Sequence, residues 1–111
     1  MEKMYYFVGD THNGRIYKRF TSYDKAMAYI RGEYAYDKEH ENDGKTTFID
    51  GYYGIYRISE DEAEIYGWDY VRTDVNTMEF MGVVRYDDAM KYVPKSEADD
   101  ADEDDGYYDY E

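Results

Sequence analysis

The sequence predicts an α+β fold: an antiparallel β-sheet of about five to six strands, two short helices on one face, and a disordered acidic C-terminal tail. Three observations carry that prediction. Short runs rich in Tyr, Val and Ile are separated by Gly- and Asn-containing turns, the pattern of strands joined by hairpins. Two segments, beginning near Tyr23 and near Tyr86, switch to a helical spacing of apolar residues. The last seventeen residues hold nine carboxylates and one lysine, which leaves too little apolar surface to join a core.

Taken in order, residues 5–8 are apolar and strand-like. Residues 9–14 form a polar turn containing Asn13-Gly14, a hairpin signal. Residues 15–20 return as a strand, alternating Ile16, Lys18 and Phe20 against Tyr17 and Arg19. A helix follows, capped by Thr21 or Ser22. Tyr23, Met27, Ile30 and Tyr34 form its apolar stripe, widened by Ala26. Gly32 weakens it, so fraying before Glu39 is expected. A charged loop around Asp43-Gly44 spans 38–45.

Two strands are expected at 46–50 and 54–59, separated by Gly51, and then an acidic hairpin tip at 60–62. The alternating aromatics Tyr66, Trp68 and Tyr70 predict a strand over 63–72. Asn76-Thr77 turns into a last strand at 78–84, and a helix at 86–93 closes the body. Pro94 disfavours helix in the residue before it, which divides a compact domain, 1–94, from the Tyr-containing acidic tail, 95–111.

An internal echo crosses this layout. The eight residues from Tyr23 match the eight from Tyr86 at five positions. The same 63-residue offset pairs Val8 with Val71, Asn13 with Asn76 and Tyr17 with Phe80. Two hairpin-then-helix units would produce the echo, and so would chance combined with a common helix-start pattern.

Charge bounds the function. The chain carries 27 acidic and 13 basic side chains, for a net charge of -14, and its sequence pI is near 4.4. The tail, with nine acids against one lysine, contributes -8. The body, with the remaining 18 acids against 12 bases, contributes -6. Such a field repels nucleic-acid phosphates and anionic membranes and attracts basic protein surfaces. Direct nucleic-acid binding and membrane association are therefore not expected. There is no cysteine, which removes disulfides and thiolate metal sites and fits a reducing cytoplasm. No apolar run approaches the roughly 20 residues of a spanning helix, and residues 1–8 lack the long apolar stretch of a secretory signal. The expected location is cytoplasmic. Tyrosine occurs 17 times, against four Phe and one Trp. Its amphipathic ring suits half-buried sheet positions and contact surfaces alike.

Phe7-Val8-Gly9-Asp10-Thr11-His12-Asn13-Gly14 resembles the opening motif of calcineurin-like metallophosphoesterases, which set an Asp and a His after the first strand. That family also needs a second Gly-Asp motif, an Asn-His pair and later histidines. This chain has only His12 and His40, too few for a two-metal site. The stretch from Glu39 resembles an EF-hand loop, with Gly44 at the sixth place. Its first ligand would be Glu rather than Asp and its twelfth Asp50 rather than Glu, with no good exit helix. Ser22, Ser59 and Ser96 lie in no nucleophile-elbow context, and no glycine-rich phosphate cradle appears. No catalytic residue, metal or cofactor is expected, and the protein reads as non-enzymatic.

In size, acidity, tyrosine content and acidic tail the chain resembles phage-encoded DNA-mimic inhibitors, among them anti-restriction and anti-CRISPR proteins. The resemblance is one of composition. It implies a host defence protein as target, a CRISPR effector or restriction enzyme, with the inhibitor occupying its basic nucleic-acid groove in the host cytoplasm. On that reading the contacts are Glu60, Asp61, Glu62, Glu64 and Asp69, with Tyr52, Tyr53 and Tyr66 nearby. Alternate strand positions lie roughly 6–7 Å apart on one face, comparable to the spacing of DNA phosphates. The other expectation is a small phage or bacterial accessory protein that binds a host protein through a Tyr-rich sheet face.

Overall fold

The computed structural model describes residues 3–44 and 47–93; the predicted tail, 95–111, lies outside the described residues. The fold is α+β. Strands β1 (Met4–Asp10) and β2 (Ile16–Phe20) form a hairpin, and α1 (Tyr23–Glu39) follows. Strand β3 (Tyr53–Ser59) leads directly into α2 (Glu60–Tyr66) and α3 (Trp68–Thr73). A single 3-10 turn (Val75–Thr77) precedes β4 (Glu79–Val84) and α4 (Tyr86–Lys91). The sheet is antiparallel in the order β2-β1-β3-β4.

The β1–β2 hairpin forms as the sequence predicts, and its turn is built around Asp10. One carboxylate oxygen of Asp10 accepts the backbone N–H of His12 at 2.6 Å and of Asn13 at 3.1 Å. The other accepts the Asn13 amide at 3.0 Å and the Tyr52 hydroxyl at 3.1 Å. Gly14 takes a positive φ of 74°, as the second residue of an Asn-Gly turn does at little cost. Burial alone would raise the Asp10 carboxyl, but these hydrogen bonds hold it below its ordinary value. The motif that resembles a metallophosphoesterase opening is thus occupied by turn formation, and the His12 side chain is exposed.

Helix α1 starts where expected. Ser22 is its cap, accepting the Lys25 N–H at 3.1 Å. The predicted stripe is largely buried: Ala26, Met27, Ile30 and Tyr34 face inward, extended by Asp37, while Tyr23 is exposed. The helix continues through Gly32 to Glu39 rather than fraying earlier, because buried contacts on both sides of Gly32 outweigh its roughly 1 kcal/mol propensity deficit.

The strand count and the placement of helices differ from expectation. Among the described residues the sheet has four strands, not five to six, and there are four α-helices rather than two. Residues 47–50 are not a strand. Residues 60–62, expected as a hairpin tip, are the first turn of α2, and the expected strand 63–72 is helical. The Ser59 hydroxyl accepts the Glu62 N–H at 3.1 Å, and Glu60, Asp61 and Glu62 sit where the helix dipole favours anions. Gly67, with φ of 99°, separates α2 from α3. Ala63, Trp68 and Val71 turn inward from the two helices onto the sheet.

Helices therefore cover both faces. Period-two alternation sends Val8, Tyr53 and Ile55 to one face, where they pack with Phe20, the α1 stripe, Val84 and Ala89 of α4. It sends Tyr5, Phe7, Tyr56 and Ile58 to the other, against Ala63, Val71 and Met78. The Arg19 guanidinium lies 4.8 Å from the Trp68 ring and 5.1 Å from Tyr5, a cation–π contact that pins α3 to the hairpin. The echoed segments both begin helices, and β2 and β4, the two edge strands, precede them. The echo ends there, since Val8 lies in β1 and Val71 in α3.

Candidate functional site

The structure separates the predicted contact residues into two places. Glu60, Asp61, Glu62, Glu64, Asp69 and Tyr66 belong to the α2–α3 layer. Tyr52 and Tyr53 stand at the opposite end of β3. Tyr53 and Ser59 are the two ends of a seven-residue strand, about 20 Å apart at strand rise. The expectation that those tyrosines flank the carboxylates is thus corrected. Tyr53 is a buried core residue, and Tyr52 is half-buried.

On the α2–α3 layer, Asp61, Glu62, Glu64 and Asp69 are exposed and Glu60 is half-buried. Among the described residues none of the five carboxylates is held in an ion pair. Their spacing is helical rather than strand-like: residues three or four apart lie about 5–6 Å apart at Cβ, which replaces the sheet-edge spacing expected from the sequence. Between them stand apolar groups. Ile65 is 81% exposed, Tyr66 48% and Tyr70 50%, with the two rings 6.3 Å apart. The Tyr70 hydroxyl donates to Asp74 at 3.0 Å. On the expected strand Ile65 falls on the face opposite Tyr66, Trp68 and Tyr70, so the strand pattern does not place it beside them; Tyr70 is expected there only as a sheet residue. The Ser-x-x-Glu capping signature from Ser59 to Glu62 was the available signal for both.

The second place is a cleft of about 450 Å³ whose wall is made by Tyr17, Tyr29, Glu33, Asp37, Tyr52 and Tyr53, with Tyr36 and Ile49 on its rim. Glu33 and Asp37 lie one turn apart on α1. The Tyr53 hydroxyl donates to Asp37 at 3.1 Å, and Asp37 is only 8% exposed. Tyr52 donates to Asp10, so in the 2.7 Å contact between the Tyr17 and Tyr52 hydroxyls the proton comes from Tyr17. Burial, then the Asp37 charge, push the Glu33 carboxyl above its ordinary value. The Tyr53 phenol is raised by burial and by the charges of Asp37 and Glu33, and Tyr29 by burial, Glu33 and Asp37. The rings therefore stay neutral beside carboxylates.

A third exposed feature is the edge strand β4, where Phe80, Met81 and Val83 each leave two-fifths or more of their surface in water. Among the described residues no three His, Asp or Glu side chains are grouped to hold a metal ion, and no helix is long and apolar enough to cross a membrane. Compared with known proteins, the chain matches no family, no curated protein and no solved structure.

Proposed function

We propose that the protein is a non-enzymatic acidic inhibitor that occupies a basic nucleic-acid-binding groove of a host defence protein, such as a CRISPR effector or restriction enzyme. The observation that carries the reading is the α2–α3 surface, where Ile65, Tyr66 and Tyr70 stand exposed among Asp61, Glu62, Glu64 and Asp69. Its carboxylates suit the arginines and lysines of such a groove, and its apolar groups supply desolvated anchors. The net charge of -14 steers the encounter and makes it salt-dependent.

The test passes host lysate over the immobilised full chain. A nucleic-acid-processing protein released by moderate salt and by added DNA supports the reading. The triple variant Asp61→Asn, Glu64→Gln, Asp69→Asn should lose that capture. Retention unchanged from low to high salt refutes it.

The exposed apolar edge of β4 favours a second reading, a small phage or bacterial accessory protein docked on a host protein through its sheet. Both sheet faces are covered by helices, so the contact would run along the β4 edge rather than a Tyr-rich face. In that case Val83→Lys abolishes a salt-resistant interaction that the acidic triple variant leaves intact.

A further inference from the structure

The Tyr17–Tyr53 cleft has a chemistry of its own, independent of the α2–α3 surface. Its volume, about 450 Å³, lies within the range of small-ligand sites. Aromatic rings form most of its wall: Tyr52 and Tyr53 meet edge to face at 5.1 Å, and Tyr17 stacks on Tyr52 at 6.4 Å. Acceptors come from separate elements, the Glu33 and Asp37 carboxylates from α1 and the linked Tyr17 and Tyr52 phenols from β2 and the residue before β3. This wall already draws a cation of the protein itself. The Lys18 ammonium lies 5.7 Å from the centre of the Tyr29 ring, and its charge favours the ionised form of Glu33.

Tyrosine faces attract cations through the ring quadrupole. A guanidinium is the cation best suited here. It is planar, so it stacks on a ring, and its donors fork toward carboxylate and phenol oxygens in its own plane. An ammonium is a compact, strongly hydrated point charge that uses a ring face less well. We propose that this cleft is a binding site for a guanidinium group, stacked on its tyrosine rings and hydrogen-bonded by Glu33 and Asp37. The group is supplied either by a free small guanidine or by an arginine side chain of a protein.

The test follows the tyrosine ring signals of the full chain by NMR during titration. The probes are N-propylguanidine, its neutral isostere N-propylurea, and a blocked Gly-Arg-Gly peptide. N-propylguanidine should shift Tyr17, Tyr29, Tyr52 and Tyr53 saturably, with Kd on the order of 1–10 mM for so small a ligand. N-propylurea should bind at least about tenfold more weakly, because it lacks the charge that the ring faces and carboxylates recognise. Tighter binding of the free guanidine identifies a small-molecule site. Tighter binding of the peptide identifies an arginine-docking site. Glu33→Gln should weaken either by about fivefold or more. Tyr36→Ala, at an exposed lining residue, should weaken it about twofold and gives a second check that leaves the carboxylates unchanged. Three results overturn the proposal: no saturable shift up to about 50 mM, equal binding of the urea, or shifts confined to Tyr66 and Tyr70.

Discussion

Replacing Tyr34 by Phe removes one oxygen atom, and the structure gives that atom three partners. The Tyr34 hydroxyl donates to the Val84 carbonyl at 2.6 Å. It accepts the Gly51 N–H at 3.0 Å and, more distantly, the Tyr53 N–H at 3.5 Å. It therefore ties α1 to β4 and to the segment entering β3. The ring is fully buried, edge-on to Tyr53, Phe48 and Tyr86. Phe keeps that ring and its packing, so the cavity left is small and the loss is one of hydrogen bonding. A buried donor or acceptor left without a partner costs about 1–3 kcal/mol. With Gly51 and Val84 both affected and the long Tyr53 contact discounted, the expected loss is about 2–4 kcal/mol. In urea unfolding of the full chain, with a slope of about 1–1.5 kcal/mol/M for this size, the midpoint should fall by roughly 1.3–4 M at unchanged slope. The Gly51 amide should exchange faster with solvent. A loss below about 0.5 kcal/mol, or an unchanged Gly51 amide, refutes the reasoning.

Ser59→Ala should destabilise the protein by about 1 kcal/mol through loss of the α2 cap, with faster exchange at the Glu62 amide; equal exchange in both proteins contradicts the capping role. Asp10→Asn should destabilise at neutral pH. The folded Asp10 carboxyl is held below its ordinary value, so its contribution is present above the unfolded value near 3.8 and fades as pH falls through the folded one. The difference between wild type and variant should shrink over that acid range, and a constant difference argues against it. His12→Ala, an exposed change whose backbone N–H still reaches Asp10, should alter stability by less than about 0.5 kcal/mol, as thermal unfolding will show. Glu33 is raised instead, by burial and then by Asp37. Its folded form holds a proton more tightly, so its contribution is full below about 4.5 and lost as pH rises through the folded value. Glu33→Gln should therefore stabilise at pH 7 and give no gain under acid conditions; no gain at pH 7 would contradict this.

The hairpin was legible because Asn13-Gly14 names its turn, and α1 because Ser22 and the Ala26–Tyr34 stripe agree on one helical phase. The α2–α3 segment was misread for a physical reason. Tyr66, Trp68 and Tyr70 alternate as strand residues do, and aromatics favour strands, but Gly67 breaks the segment so that Trp68 starts a new helix. Two short helices in different phases imitate period two. The capping signature at Ser59 points to helix, against that alternation. The echo was legible as helix starts and no further, because identical offsets do not force identical pairing: residues 67–73 match β1 in offset yet pack as a helix on the sheet.

Of the candidate sites, the acidic residues were visible individually, since charge is a property of each side chain. Their company was not. Tyr52 and Tyr53 lie within eight residues of Glu60 in the chain, yet an extended strand carries them about 20 Å away. The sequence by itself determined the net charge, the hairpin, the two matching helix starts and the surplus of tyrosine. Only the tertiary structure decided which tyrosines form a cleft, which stand in water, and that the Asp10 carboxylate holds its turn to Tyr52. Hydrogen-bond partners and burial depend on groups distant in the chain, and Tyr34 reaches Val84 across fifty residues.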